Sequence, residues 1–216
     1  MRNMARRGAK SDIHFIADGD MVMSEGFAIK AKNIANQMID GKSKDVLVVR
    51  RFETGSLKIP KNPVDLAESV KNQTVFEFHH KCFFKGHKLE NLTYWLNKSS
   101  EKLSEVNSWP IPYAGVFWEV QVILHRNDLY NADYFPARIR DMQTLIYSLC
   151  RANYTFHLLS HVFNVHEGVK TADTTYSKAV VAHQKAFVKN KAFNRFNQEL
   201  NAMYPHTFAK CGNFIL

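Results

Sequence analysis

Cysteine is scarce in this chain of 216 residues, which contains only Cys82, Cys150 and Cys211. The three are odd in number, lie far apart and form no Cys-x-x-Cys pair. A reducing compartment is the simplest interpretation of this pattern, because disulfides persist mainly in oxidising environments. We therefore expect an intracellular, cytoplasmic protein.

Long apolar runs are also absent. No window approaches the roughly 18 consecutive apolar residues of a membrane-spanning helix, and no apolar stretch of about 7–15 residues follows the positively charged start, as a secretory signal requires. Nine Gly, six Pro and 12% aromatic residues exclude low-complexity and disordered classes. We expect one compact domain, or a domain with a small appendage, and no membrane partner.

Acidic residues are outnumbered, with 20 Asp+Glu against 29 Lys+Arg, for a net charge of +9. Two segments carry much of this excess and contain no acid. They hold Arg2, Arg6, Arg7 and Lys10 at the N-terminus, and Lys178, Lys185, Lys189, Lys191 and Arg195 near the C-terminus. Such clusters favour anionic partners through long-range attraction and counterion release. Nucleic acid is the leading candidate partner, with an acidic protein surface as the alternative.

Hydrophobic periodicity predicts the elements of the fold. Helices are expected over residues 24–38, 89–103, 139–159 and 174–203, with a short one starting at Asn62-Pro63, and strands over 45–49, 74–84 and 116–124. This order predicts an α+β fold, with a small mixed or antiparallel sheet and an α-helical C-terminal third. We divide the chain into a basic flexible arm (1–11), an α+β domain (12–135) and a helical region (136–216) packed on the same core.

A histidine pair, His79-His80, is followed by His87 and Asn91 in an arrangement that resembles the ββα-metal (HNH) nuclease motif. The resemblance implies His79 or His80 as general base, and His87 or Asn91 near a divalent metal. The segment departs from the motif in lacking flanking Cys pairs, in its compressed loop, and in having Ser100 where a final His is expected. The alternative is a strand histidine pair followed by an unrelated helix start.

Two further arrangements place polar groups together. If the strands over 74–84 and 116–124 are neighbours, one face carries Glu77, His79, Lys81, Glu119, Gln121 and His125. On the predicted helix over 139–159 and just beyond it, His157 and His161 stand at i and i+4, a spacing that can bind zinc. A solvated sheet face and a packed helix, respectively, are the alternatives. Asp40-Gly41-Lys42-Ser43 is not a phosphate-binding loop, because it lacks the upstream glycine and precedes a strand.

These observations lead to one hypothesis and one competitor. The hypothesis is a nucleic-acid-binding protein that contacts phosphates through its basic arm and C-terminal helix and stacks bases on Phe187, with metal-dependent nuclease activity as an addition. The competitor is a structural or assembly protein of capsid, scaffold or adaptor type, which binds other protein chains or copies of itself through the same basic and aromatic faces.

Overall fold

A computed structural model describes residues 2–101 and 106–215. In this part of the chain seven strands form one mixed sheet in the order β1-β6-β3-β7-β2, with β4 added to β3 and β5 added to β7. The strands are β1 (Ile13–Ile16), β2 (Met21–Met23), β3 (Asp45–Thr54), β4 (Val75–Glu77), β5 (Ser108–Ile111), β6 (Gln121–His125) and β7 (Thr155–Glu167). The predicted α+β fold is confirmed.

Helices cover both faces of the sheet. They are α1 (Arg2–Gly8), α2 (Phe27–Met38), α3 (Pro63–Lys71), α4 (Phe84–His87), α5 (Leu92–Ser100), α6 (Asp141–Arg151), α7 (Thr175–Phe187), α8 (Phe193–Met203) and α9 (Phe208–Cys211), with a π-helical turn, Val188–Ala192, joining α7 to α8. Helix α2 packs its apolar side on Leu47, Val49 and Ile123, and the larger core on the opposite face includes α5, α6 and α8. None of the described helices combines the length and apolarity that crossing a membrane requires.

Strands β3 and β7 form the centre of the sheet. They pair in parallel, with Val46 opposite Phe156 and Phe52 opposite Val165, and the register shifts between Val48 and Arg50. The β-branched run at the start of β3 is buried, as expected for a strand covered on both faces. The strand predicted over 45–49 is therefore confirmed and extends to Thr54.

The helix predicted over 139–159 ends early. Helix α6 stops at Arg151, Asn153 turns the chain with φ 65°, and β7 begins at Thr155. His157 and His161 therefore lie on a strand and not on a helix: His157 Nε2 contacts Asp45 Oδ1 at 2.8 Å, and His161 contacts the Glu101 carbonyl. The i, i+4 spacing thus carries no zinc site, because that interpretation required a helical turn.

Two predicted strands are shorter than their alternation suggested. Strand β4 ends at Glu77, because His79 takes a left-handed φ of 56° and His80 N–H bonds back to the Glu77 carbonyl. Strand β6 begins at Gln121, since Glu119 N–H donates to Gly86 and not to a neighbouring strand. Both strands pair with the same edge of β3, end to end, so they are not neighbours in the sheet. The helix predicted over 89–103 spans Leu92–Ser100, and its predicted end at Leu103 lies outside the described residues.

The N-terminal segment is folded. Residues 2–8 form α1, where Arg6 is 3% exposed and donates to the carbonyls of Leu129 and Asp128. Its guanidinium also stacks on the Tyr130 ring at 3.8 Å. The sequence predicted a flexible arm over 1–11, but a run of basic residues can equally form a helix when its side chains find carbonyl and carboxylate partners on the body.

A disulfide joins Cys150 in α6 to Cys211 in α9, 61 positions apart, while Cys82 is free and exposed. This pairing removes the basis on which a reducing compartment was expected, and the localisation stays a prediction.

In the folded protein without reductant, we expect iodoacetamide to modify one cysteine, and all three after reduction under denaturing conditions.

Breaking this disulfide is expected to destabilise the fold by about 2–4 kcal/mol, because the unfolded chain gains conformational entropy when it is no longer closed into a long loop. Urea unfolding of a Cys150→Ser/Cys211→Ser variant measures this loss. Cys82→Ser is the matched control and should unfold like the wild type; equal midpoints for both variants would contradict the disulfide's stabilising role.

Candidate functional site

Polar side chains emerge where the α2-covered face of the sheet ends. Along β3, Leu47 and Val49 pack against α2, and Arg51 and Glu53 continue the same face by the two-residue alternation of a strand. On β7, Asn164 and His166 follow Val162 in the same way. The turn between β1 and β2 adds Asp18 and Asp20 beside this end of the sheet, because β2 pairs Met21 with His166.

The two carboxylates of the Asp18-Gly19-Asp20 turn have different surroundings. Asp18 forms ion pairs with Arg2 at 2.6 Å and with Arg51 at 3.2 Å, and Arg2 also pairs with Asp141. Asp20 is 69% exposed, and its Oδ2 lies 3.4 Å from His166 Nε2. Asp18 is therefore neutralised within the fold, whereas Asp20 faces solvent and is open to a ligand.

Arg51 is at the centre of a hydrogen-bonded chain. Arg51 is buried, with 6% of the residue exposed. Its guanidinium donates hydrogen bonds to the Glu119 carbonyl and to His87 Nδ1, the latter at 2.6 Å. His87 Nε2 lies 2.9 Å from His79 Nδ1. Burial, followed by the charge of Arg51, lowers the pKa of His87 to about 2, so this imidazole is neutral.

Glu53 forms a second polar group on the same strand. It is fully buried, and its Oε1 lies 2.7 Å from Nδ1 of His80, whose ring stacks on Phe76 at 4.2 Å. The backbone N–H of Lys170 approaches its Oε2 at 3.4 Å. Glu53 thus ties the His79-His80 turn to the segment that follows β7.

Glu119 lies on the opposite side of Arg51. Burial raises the pKa of its carboxyl to about 7, against the attraction of Arg51, and Gln143 donates a 2.7 Å hydrogen bond to it. A carboxyl that titrates near neutral pH can accept or release a proton under physiological conditions. Glu119 and His79 are linked through Arg51 and His87, but not by the predicted strand face, because both residues lie outside the strands and β4 and β6 are not neighbours.

The residues predicted to bind metal have other roles. Asn91 caps α5 by accepting from the Tyr94 N–H, and both nitrogens of His87 are engaged within the fold. Across residues 2–101 and 106–215, no three His, Cys, Asp or Glu side chains are placed to hold a metal ion among themselves.

The residues predicted to bind nucleic acid lie in two places. Arg2, Arg6 and Arg7 make contacts within the fold, Arg7 with Asp133 at 2.8 Å. The C-terminal set lies along α7, the π-helical turn and α8, and α7 has no buried residue. The exposed residues of this set are Lys178, Lys185, Phe187, Lys189, Lys191 and Arg195. Lys10, which follows α1, is also exposed. The two sets therefore do not form one continuous surface of free cations.

The sequence reasoning missed Asp18, Asp20, Arg51, Glu53 and His166. Asp-Gly-Asp directly after the alternating strand Ile13–Ile16 was the available signal, because paired carboxylates at a strand end are typical of phosphate and cation chemistry. Arg51 and Glu53 follow a buried apolar run, where charged residues are rare unless paired. His166 stands just beyond the His157 and His161 pair in the sequence, but its segment was assigned to no element and it was given no role.

An apolar groove of 720 Å³ lies apart from these residues, between α2 and the β1 and β6 strands. Phe15, Phe27 and Ile123 are among its lining residues. Its lining is mainly apolar, although Asp12, Lys32 and His125 also contribute to it. The polar cluster at the end of β3 and β7, where more charged groups come together, is the candidate site.

Comparison with known families identifies one match. The family model described as "Glycosyl-transferase for dystroglycan" matches residues 1–205, nearly the whole chain. No curated protein matches the sequence. The family match overturns the hypothesis of nucleic-acid binding with nuclease activity, and with it the expected nucleic-acid, acidic-protein and self-assembly partners. The basic net charge could not distinguish nucleic-acid binding from glycosyl transfer, because a sugar donor with a phosphate leaving group is also an anion.

Proposed function

We propose, since the chain belongs to the family of glycosyl-transferases for dystroglycan, that it transfers a sugar from a nucleoside diphosphate donor to a hydroxyl of a glycan acceptor. The family match over residues 1–205 carries this proposal. The polar cluster around Asp18, Asp20 and Arg51 is the site to which we assign the reaction.

The chemistry of transfer makes two demands on such a site. The bond between the sugar's anomeric carbon and the diphosphate breaks while the acceptor oxygen bonds to that carbon, so negative charge grows on the diphosphate. Positive groups fixed beside the leaving group stabilise that charge most effectively in a partly desolvated site. Lys170 follows β7, where its backbone N–H lies 3.4 Å from Glu53 Oε2, and we assign its ammonium to this positive side of the site.

A divalent cation fits the remaining donors. Mg²⁺ and similar ions are commonly held by one or two carboxylates together with substrate phosphates, so a cage built only of side chains is not required. Asp20 and His166, 3.4 Å apart and both open to solvent, supply oxygen and nitrogen donors of the kind that Mn²⁺ accepts. Such a cation would supply charge neutralisation of the diphosphate.

The acceptor hydroxyl must lose its proton during transfer. We assign this proton to Glu119, because a base works best when its pKa lies near the working pH, and burial raises the pKa of Glu119 to about 7. Gln143 holds the carboxyl in place. Within the described residues, the fully buried carboxylate of the cluster, Glu53, is already bonded to His80.

The experiment is a transfer assay with the full chain. Uridine, guanosine and cytidine diphosphate sugars are incubated with glycans released from dystroglycan, and both nucleoside diphosphate release and the mass of the product are measured. We expect release with one donor and an acceptor mass increase of one sugar. EDTA should abolish both, and Mn²⁺ should restore them.

The controls separate transfer from contamination. Glu119→Gln should lower turnover without loss of folding, because the amide keeps the size of the carboxyl but accepts no proton. Release of diphosphate without a larger acceptor would indicate hydrolysis alone. No release and no product with any donor, in a folded wild-type protein, would overturn the proposed function.

A further inference from the structure

Arg140 has a backbone conformation that few long side chains adopt. It directly precedes α6, and its φ of 55° and ψ of 23° lie in the left-handed region where glycine is favoured. Its side chain forms no capping hydrogen bond at the start of this helix. Residues in this region persist where the surrounding structure imposes the conformation, and they concentrate at active sites and ligand clamps. The placement of Arg140 therefore needs an explanation other than helix formation.

The guanidinium of Arg140 lies beside two aromatic rings and, among the described residues, pairs with no carboxylate. Its central carbon is 4.5 Å from the centre of the Phe117 ring and 5.9 Å from that of Phe214. The Nη1 atom is buried and has no hydrogen-bond partner in the described part of the chain. Arg140 as a whole is only half-buried, so part of its side chain can be reached from solvent.

Two buried arginines of β3 show how the fold compensates such a charge. Arg50 pairs with Glu77 at 2.5 Å, and Arg51 pairs with Asp18 at 3.2 Å. For Arg140, burial lowers the pKa of the guanidinium, and within the described residues no acid opposes that shift. A partly desolvated cation without an acceptor costs free energy, which a bound anion would offset. The fold thus leaves Arg140 suited to a negatively charged ligand.

Arg140 lies close to Glu119, the residue to which we assign the acceptor's proton. The Arg140 guanidinium contacts Phe117, which stands two positions before Glu119. Gln143, about one helical turn after Arg140, donates to Glu119 at 2.7 Å. Two contacts therefore join the same two segments, one at the cation and one at the proposed base. A substrate group bound to Arg140 lies near the hydroxyl that reacts.

We propose that Arg140 binds an anionic group, a carboxylate or a phosphate ester, on the acceptor glycan. The inference rests on the proposed function, which supplies the glycan acceptor and places its hydroxyl at Glu119. A guanidinium suits such a group, because its planar set of N–H donors forms two parallel hydrogen bonds to two oxygens of one anion. The donor's diphosphate is assigned to Asp20, His166 and Lys170. Arg140 then selects an anionic acceptor over a neutral one.

Three sugars that differ only at carbon 6 test this assignment in the protein alone. Glucose is neutral, glucuronic acid carries a carboxylate, and glucose 6-phosphate carries a phosphate ester. Each is titrated into the full chain, and binding is followed by the ¹H–¹⁵N NMR signals of the protein. We expect an anionic sugar to bind about 10- to 100-fold more tightly than glucose, as for hydrogen bonds to a charged group. Equal affinities, or no binding of either anionic sugar, would overturn the proposal.

Variants separate Arg140 from the other cations of the protein. Arg140→Met keeps an unbranched side chain beside Phe117 and removes the charge, so it should lose the preference for anionic sugars. Arg138→Met is the matched control, because Arg138 is exposed and lies two positions earlier, and it should bind like the wild type. Arg140→Met should also unfold at the same temperature or higher, since it removes a cation that no described residue neutralises. A preference retained by Arg140→Met, or lower stability with unchanged sugar binding, would overturn the binding role.

Nucleoside diphosphates distinguish the two sources of an anion. Uridine, guanosine and cytidine diphosphate are titrated into the same proteins, and Arg140→Met should bind them like the wild type. If Arg140→Met weakens diphosphate binding but not sugar binding, the anion at Arg140 belongs to the donor and the acceptor assignment is wrong. If the wild type prefers anionic sugars through Arg140 but transfers no sugar, the proposed function fails while the anion site at Arg140 stands.

Discussion

Asp20→Asn is expected to lower sugar transfer about 100- to 1000-fold, the range seen when one preorganised electrostatic group is removed from a reacting centre. Its carboxylate is 69% exposed, and its contact with His166, at 3.4 Å, is long. The stability of the described fold therefore depends little on its charge. The substitution keeps the shape of the side chain and removes the negative oxygen that we assign to cation and diphosphate binding.

The measurement is the transfer assay at saturating and at limiting donor, together with thermal unfolding of the same sample. We expect an unchanged midpoint of unfolding. Asp12→Asn is the matched control: Asp12 also lies in an exposed ion pair, at 3.3 Å from Arg126, but away from the cluster. If Asp20→Asn retains nearly full activity, the assignment of the site to the Asp18-Gly19-Asp20 turn is wrong.

Asp18→Asn provides a useful contrast. Asp18 neutralises Arg51, which is buried, so this substitution should lower stability as well as activity. The two neighbouring carboxylates thus distinguish a group that the fold needs from a group that the reaction needs.

Arg151→Met is expected to destabilise the protein by about 3–4 kcal/mol, which corresponds to a fall of roughly 10 °C in the midpoint of thermal unfolding. Arg151 is fully buried in α6 and forms no ion pair with a carboxylate of the described residues. Its guanidinium is held instead by neutral oxygens: the Tyr147 hydroxyl, the Asn201 amide, the carbonyls of Leu200 and Tyr204, and the Thr207 hydroxyl. Methionine fills much of the space but removes all five of these hydrogen bonds, and within the described residues only the carbonyls of Leu200 and Tyr204 keep another donor, the Tyr204 N–H and the Thr207 hydroxyl.

Urea unfolding gives the free energy change, and the slope of the transition reports whether the C-terminal helices separate first. Arg126→Met, at an exposed ion pair, is the matched control and should change stability by less than about 1 kcal/mol. Equal stabilities of the two variants would contradict the role of Arg151 in fastening residues 200–207 to the core.

The sequence predicted the helices and strands better than it predicted the residues of the candidate site. Periodicity found α2, the start of β3, and α3 with its Asn62 cap, because each has a local pattern or a local capping bond. It failed at β7, where Phe156 and Leu159 fit a weak continuation of the helical stripe of α6. The parallel pairing that makes this segment a strand comes from residues more than 100 positions earlier, which no local pattern contains.

The site was missed for a related reason. The sequence motif predicts His79 as a general base, but its contacts with His87, and through His87 with Arg51, arise from a left-handed turn and from the packing of α4, which no local pattern contains. Net charge pointed toward the wrong anion, because Arg2 and Arg6 were counted as free when they are bonded within the fold. Composition reports how many charges there are and not which of them remain available.

The position of β7 in the chain has a consequence for synthesis. Strand β7 pairs with β2, β3 and β5, so the central part of the sheet cannot form until β7 has been synthesised. About 100 residues separate the end of β3 from the start of β7, and a ribosome adds about 5–20 residues per second, so β3 waits roughly 5–20 s with one apolar edge unpaired. Folding of the sheet therefore begins late in translation, and in that interval the nascent chain depends on protection from aggregation.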